Sequence, residues 1–236
     1  MKGLILAAGD GGRLRPLTLK TPKVLLNAGG DPLIHYPIKA LQLAGVTEIA
    51  VVLGHNAAKV EEAVGNAYPE IKFLYNENHS GGNALSIGVA RDFMGASPFV
   101  VCMGDHPISP KIVASLLSHP VDGNTLCVDP DARLPAQLND GTRVLVGEDG
   151  YIDGIGKGLK DWSAIDTGVF KMTSEVFSVI DILTDRLGTA VGISDVVRHF
   201  GVMGRPFSTC DVGGAFWSDV DTLDDYVAIE SILGSV

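Results

Sequence analysis

Four short β-rich runs, at residues 2–8, 48–53, 71–75 and 99–103, limit what this chain can fold into. Residues 2–8 are a continuous apolar run, which suits a strand buried on both faces. The runs are parted by helical patterns. Asp31-Pro32 opens a helix with Ile34, Ile38 and Leu41 on one stripe. Asn56 caps a helix carrying Val60, Ala63 and Val64. Residues 83–94 read as a helix, with Leu85, Val89 and Phe93 at i, i+4 and i+8. Ser109-Pro110 supplies an N-cap followed by proline at the first helical position.

This rhythm predicts an α/β fold: a three-layer αβα, Rossmann-like arrangement around a mixed, mostly parallel sheet. Ligands of such sheets sit beyond the carboxyl ends of the strands, so the loops after the first and fourth strands come first. The second half is less regular. Residues 124–129, 143–147, 151–155, 164–171 and 205–212 are strand-like, and 174–184, 193–200 and 222–233 are helical. Thr222 and Asp225 resemble a capping box. No repeat or linker interrupts residues 1–236, which are expected to form one domain with an elaborated second half.

Charge narrows the function classes. The net charge of −10 disfavours a nucleic-acid partner. Its distribution is uneven. Residues 1–23 carry Lys2, Arg13, Arg15, Lys20 and Lys23 against Asp10 alone, while 206–236 carry six acids and no Lys or Arg. An anion site and a cation site are expected. The 29 glycines are about 12% of the chain, against a usual ~7%, and suggest tight turns or backbone close to a ligand. Cys102, Cys127 and Cys210 are odd in number and widely spaced, which suits reduced thiols in a cytoplasmic protein. No apolar run nears the ~18 residues of a membrane span, and the N-terminus reads as a strand rather than a signal peptide.

The richest stretch is Leu6-Ala7-Ala8-Gly9-Asp10-Gly11-Gly12-Arg13-Leu14-Arg15-Pro16-Leu17-Thr18, followed by Pro22-Lys23. It lacks the Gly-Lys-Ser/Thr of a Walker loop and the third glycine of the dinucleotide fingerprint. Pro16 and Pro22 are expected to hold it extended. Its glycines free backbone N–H groups for phosphate oxygens, and Arg13 and Lys23 add full charges.

These residues resemble the nucleotidyltransferases that make nucleotide sugars, with Gly12 where a Thr or Ser is usual. The resemblance implies the nucleotidyltransferase fold. It implies that Leu6, Ala7, Ala8, Gly9, Gly11 and Gly12 clasp a nucleotide whose triphosphate Arg13 and Lys23 hold. Residues of about 1–120 would then form the nucleotide-binding half and 121–236 the acceptor-binding half.

Further motifs follow in order. Gly104-Asp105-His106 ends the fourth strand. Alone, Asp105 reads as a turn residue; beside a phosphate loop it is a natural Mg²⁺ ligand. In Phe216-Trp217-Ser218-Asp219-Val220-Asp221-Thr222, alternation puts Asp219 and Asp221 on one side of an extended segment. Either completes a metal site with Asp105, or caps the turn and the last helix. Gly156-Lys157 and Asp166-Thr167-Gly168-Val169-Phe170 complete the set. Together the motifs most resemble the CTP:inositol-1-phosphate cytidylyltransferases, over about residues 2–227. Some members carry a fused membrane domain, which is not expected in these residues. The resemblance places His106, Asp166, Thr167 and Gly168 at the acceptor and Lys157, otherwise a surface lysine, on its phosphate. It also assigns the base to Glu77, Gly82 and Asn83, which alone read as a loop and helix start.

No GxSxG elbow, HExxH or Cys/His pairing occurs. A phosphate monoester nucleophile needs no general base, being mostly dianionic near neutral pH with a second pKa of ~6. The expectation is Mg²⁺-dependent transfer from an NTP, CTP foremost, to a polyol or sugar 1-phosphate, inositol 1-phosphate foremost. The alternatives are a sugar-1-phosphate thymidylyl- or uridylyltransferase, a phosphocholine cytidylyltransferase, and a non-catalytic subunit that senses nucleotide sugars. The sequence leaves the oligomeric state open.

Overall fold

A computed structural model describes residues 1–234. The first strand, β1 (Lys2–Ala7), lies near the middle of a nine-stranded sheet. Parallel to it run β4 (Glu48–Leu53) on one side and β6 (Phe99–Met103) on the other, with β5 (Lys72–Tyr75) beyond β4. The hairpin β2 (Asn27–Ala28) and β3 (Asp31–Pro32) lies apart from the sheet. Next to β6 comes β10 (Ala164–Met172), antiparallel both to it and to β7 (Thr125–Asp129). Beyond β7 lies β11 (Ser208–Asp211), parallel to it. β8 (Arg143–Val146) pairs with β10 and with β9 (Ile152–Gly156). The sheet is mixed and mostly parallel, as the strand–helix rhythm predicts.

Strict alternation divides each central strand between two cores. Leu4 and Leu6 of β1 face one side, with Ile87, Phe177 and Phe200; Ile5 and Ala7 face the other, with Ile38, Leu41 and Ile112. The helices supplying these layers are α1 (His35–Leu43), α2 (Ala57–Ala67), α3 (Ala84–Gly88), α4 (Arg91–Met94), α5 (Pro110–Ser118), α6 (Pro135–Asn139), α7 (Glu175–Leu187), α8 (Ile193–Val202) and α9 (Leu223–Leu233).

Several local expectations are corrected. Asp31-Pro32 does not open α1: it pairs with Asn27-Ala28 around Gly29-Gly30, and the helix starts at His35. The expected stripe of Ile34, Ile38 and Leu41 is nonetheless fully buried. Asn56 precedes α2 in a left-handed conformation and its side chain makes no cap. Ala63 lies on the exposed side of α2. Residues 83–94 break into two short helices, and the buried apolar positions of the segment are Ala84, Ile87, Ala90 and Met94, not Leu85, Val89 and Phe93. Counting only large side chains hides the alanines that let this segment approach the sheet. The stretch after β1 is not extended but coils into three single 3-10 turns, Gly12–Leu14, Leu17–Leu19 and Lys23–Leu25; Pro16 and Pro22 each stand just before one. The last strand begins only at Ser208, after Pro206. The Ser109 and Thr222 caps form as expected.

A third, smaller core unites the ends of the described chain. Leu14, Leu26, Ala28, Leu33, Val220 and Ile229 pack together beneath the glycine-rich turns. Leu14 sits between Arg13 and Arg15, and Val220 between Asp219 and Asp221. Burying Leu14 and Val220 therefore turns their charged neighbours outward. Leu14 is fully buried, so Leu14→Ala is expected to lower unfolding stability by about 3 kcal/mol. Urea denaturation followed by circular dichroism measures it; a loss under about 1 kcal/mol would mean this core does not anchor the turns.

Candidate active site

The carboxyl ends of β1 and β6 adjoin, with Leu6 opposite Met103, and Gly104 N–H donates to Leu6 O at 2.9 Å. Asp105 follows directly. The segment 216–221 is laid beside this exit: Ser109 N–H donates to Phe216 O at 2.8 Å and Ser218 N–H to Pro107 O at 3.1 Å. The Trp217 indole donates to Asp129 at 2.8 Å and fixes the segment from below. Asp105, Asp219 and Asp221 thereby each bring one oxygen within 4.8 Å of the others.

Lys23 stands among them. Its ammonium lies 2.6 Å from Asp105 and 2.5 Å from Asp221, and its side chain is only 8% exposed. Burial disfavours this charge, but Asp105, Asp221 and Asp219 outweigh it and hold the lysine's pKa above its ordinary value. Burial likewise works against the Asp105 carboxylate, yet Lys23 and His106 bring it down to about 2. Asp221 is lowered in the same way, burial being overcome by Lys23 and Arg13. His106 sits 3.4 Å from Asp219 and 3.8 Å from Asp105, with Nδ1 3.1 Å from Thr167 O. Burial opposes its charge, but Asp219 and Asp105 push its pKa up to about 9.

Asp219 Oδ1 is buried and faces His106 Nε2 at 3.4 Å without a well-formed hydrogen bond. Together with Asp105 and Asp221 it makes a hard, anionic oxygen donor set of the kind that fits Mg²⁺. The structure thus brings both Asp219 and Asp221 to the cluster, where the sequence left the choice open.

Two cavities share Asp105 and Asp221 as a wall. One, of about 360 Å³, is lined by Gly9, Asp10, Gly11, Gly12, Arg13 and Lys23. The other, of about 310 Å³, is lined by His106, Lys157, Asp166, Gly168, Asp219 and Asn83, among others. Asp166 and Gly168 owe their place to a bulge. Between Asp166 and Phe170, β10 spends four residues against two of β7, and Gly168 adopts φ 77° there. A Cβ on Gly168 would stand 2.7 Å from His106 Nδ1. Thr167 points away, donating to Cys127 O at 2.9 Å.

Other expected residues lie apart. Leu6, Ala7 and Ala8 are buried at the end of β1 and line neither cavity. Glu77 and Gly82 also line neither. The Gly82 N–H donates to Thr189 O at 2.7 Å, and Asn83 Oδ1 accepts from Ile193 N–H at 2.8 Å, so this loop fastens the segment before α8. The residues the motifs missed are Asp140 and the start of α8, where Gly192, Ile193 and Ser194 line the cavity that holds His106 and Lys157. Asp140 binds the guanidinium of Arg13 and lies 2.8 Å from Lys157 Nζ. Asn139-Asp140-Gly141 is a turn signal, but a turn signal does not say which cavity it borders.

Residues 2–133 match the family model described as nucleotidyl transferase. A bifunctional IPC transferase and DIPP synthase of Aquifex aeolicus is 32% identical over 94% of this chain and 49% of its own length. A glucose-1-phosphate thymidylyltransferase of Streptomyces griseus is 25% identical over 99% of this chain and 66% of its own. The chain spans about half the length of the first curated relatives it matches. Among solved structures, the inositol-1-phosphate CTP transferase from T. maritima superposes with a TM-score of 0.88 at 27% identity, covering 99% of this chain and 94% of that one.

Asp166 titrates unlike its neighbours. Burial raises its carboxyl to about 6 from an ordinary 3.8, although Oδ1 accepts from Gly168 N–H at 2.7 Å. The unfolded chain releases this proton earlier, so stability falls between about pH 4 and about pH 6 and is level above. Asp166→Asn keeps the acceptor and loses the charge. Its gain in stability over the parent is expected to be absent near pH 4 and to approach at most about 3 kcal/mol above pH ~6.5. Urea unfolding at a series of pH values checks this; a gain that ignores pH would assign the titration elsewhere.

Proposed function

Because the chain belongs to the nucleotidyl transferase family, we propose that it transfers a nucleotidyl group from a nucleoside triphosphate to a polyol or sugar 1-phosphate. An oxygen of the acceptor phosphate bonds to the α-phosphorus, the α–β bridging bond breaks, and pyrophosphate leaves with that electron pair. The observation that carries this reading is the acid cluster with its buried lysine, set in the wall common to two polar cavities. One cavity takes the triphosphate and the other the acceptor, so the reacting atoms meet at Asp105 and Asp221.

Within this reading each residue has one task. Arg13 and Lys23 neutralise the triphosphate and the departing pyrophosphate, and the N–H groups of Gly9 and Gly11 donate to its oxygens, joined by that of Gly12 when it gives up Asp10 Oδ1, its acceptor at 3.2 Å. Lys157 orients the acceptor phosphate, and Asp166 accepts from its hydroxyls beside Gly168. His106, held by Asp219 and Thr167 O, fixes the wall between them. Asp105, Asp219 and Asp221 would hold Mg²⁺, which would supply positive charge against that of the reacting phosphates. Catalysis rests on alignment and charge neutralisation, without a general base.

CTP with inositol 1-phosphate is the preferred pair, supported by the ordered motifs and by the name of the T. maritima neighbour. The thymidylyltransferase relative keeps glucose 1-phosphate and dTTP as the second reading. Phosphocholine is disfavoured because an ammonium calls for an exposed aromatic cage: Trp162 lies outside the acceptor cavity, and Trp217 and Phe170, which border it, are each only 1% exposed. A nucleotide-sugar sensor is disfavoured by the intact cluster. The reading takes residues 1–236 as one domain, since the sheet draws strands from both halves. It places the protein in the cytoplasm, because its three cysteines are buried free thiols.

Pyrophosphate release, measured for the common NTPs against phosphorylated sugars and polyols, is expected to be fastest with CTP and inositol 1-phosphate. Equal or faster release with dTTP or UTP and glucose 1-phosphate would move the protein to the second reading. Asp105→Asn is expected to cut turnover by well over tenfold, a barrier change above ~1.4 kcal/mol, with the fold intact by circular dichroism. A smaller loss would remove Asp105 from the reacting centre.

A further inference from the structure

We propose that Asp140 is a positioning residue, which sets the spacing between the cation that serves the triphosphate and the cation that serves the acceptor; this rests on the transfer reading given above. One oxygen, Asp140 Oδ2, receives both Arg13 and Lys157, the lysine at 2.8 Å. Arg13 comes from the glycine-rich turns and Lys157 from the residue after β9. The second nitrogen of Arg13 binds Asp221, whose other oxygen meets Lys23. An unbroken row of alternating charges, Lys157, Asp140, Arg13, Asp221, Lys23 and Asp105, therefore runs from the acceptor cavity into the triphosphate cavity.

Stability does not explain the two outer pairs. The side chains of Lys157, Asp140 and Arg13 are 57%, 35% and 55% exposed, and ion pairs this open to water contribute little to folding. The mounting of Asp140 is by contrast firm. It ends α6, whose buried Gln137 accepts from Arg133 and Leu134 N–H at 3.0 and 2.9 Å and donates to Trp217 O at 2.8 Å. Gly141 leaves no space on this side: a Cβ there would lie 2.0 Å from Gln137 O. Thr142 O accepts from Asp166 N–H at 2.9 Å. Asp140 is thus fastened on one side to the segment that carries Asp219 and Asp221, and on the other to Asp166. A carboxylate so mounted is a fixed reference point for two long, exposed, flexible cations.

The arrangement separates two effects of opposite sign. The carboxylate competes with incoming phosphates for both cations, so its loss strengthens anion binding. It also aligns those cations, so its loss slows transfer, where small misplacements are costly. A folding defect would weaken both together.

Calorimetric titration of inorganic pyrophosphate in Mg²⁺ buffer, beside steady-state kinetics, tests this in the parent, Asp140→Asn and Asp140→Glu. Asp140→Asn is expected to bind pyrophosphate about threefold or more tightly and to turn over about tenfold or more slowly. Asp140→Glu keeps the charge, binds pyrophosphate as the parent does, and is slow because the charge is displaced by one methylene. Turnover within about twofold of the parent in both variants would return Asp140 to an ordinary surface acid. Pyrophosphate binding unchanged or weakened in a folded Asp140→Asn would also overturn the proposal. If the parent transfers no nucleotide to any acceptor, the transfer reading fails by itself, and the pyrophosphate titrations still decide whether Asp140 holds the two cations.

Discussion

Asp105, Asp219 and Asp221 place carboxylate oxygens within 4.8 Å of one another, which mutual repulsion opposes unless positive charge stands among them. Lys23 supplies that charge from inside the protein. Its ammonium touches two of the three acids, and the lysine and both acids shift toward their charged forms despite burial. A buried charge network of this sort stands only if each member is compensated, and removing one partner strands the rest. The cluster therefore ties together three remote parts of the chain: the turns after β1, the exit from β6 and the approach to α9. The positive N-terminal stretch and the acidic C-terminal stretch are two halves of a single site.

The small third core makes that meeting exact in direction. Leu14 and Val220 are fully buried in it, and each has charged residues as chain neighbours. In an extended or tightly turned backbone, burying one side chain commits its neighbours to the other side. The apolar contact between the glycine-rich turns and the segment before α9 thus aims Arg13, Asp219 and Asp221. Hydrophobic packing here sets the electrostatic geometry, and the two cannot be altered independently.

Much of this was legible because it depends on periodicity and composition. The parallel strands at 48–53 and 99–103 coincide with their apolar runs, and the ligand end of the sheet follows from the strand–helix order. The carboxylates were legible as types at strand ends and in an alternating segment. What escaped has identifiable causes. The 83–94 segment hid its buried face because alanines carry it. The hairpin at 27–32 looked like a helix start because Asp-Pro serves both. Asp140 escaped because its partners lie 127 residues before it and 17 after it, separations that no local pattern encodes. Gly82 and Asn83 sit at a helix start as read, yet their hydrogen bonds go to the 189–193 segment, whose approach is a tertiary fact.

β10 runs against the grain of the sheet, and its amino-terminal residues, Ala164–Gly168, lie beside the carboxyl ends of β6 and β1. Everything that shapes the acceptor side between β7 and that point, α6, β8, β9 and Lys157 included, is one continuous excursion of the chain. It departs from β7 after Asp129, adds β8 and β9 to the sheet beside β10, and returns at Ala164 without touching the register of β1, β4 or β6. Under the proposed reading, a lineage with this topology can change the contacts that Asp140 and Lys157 offer an acceptor by rewriting a single insert, while the rest of the cavity wall, His106 and Asp166 included, stays in place.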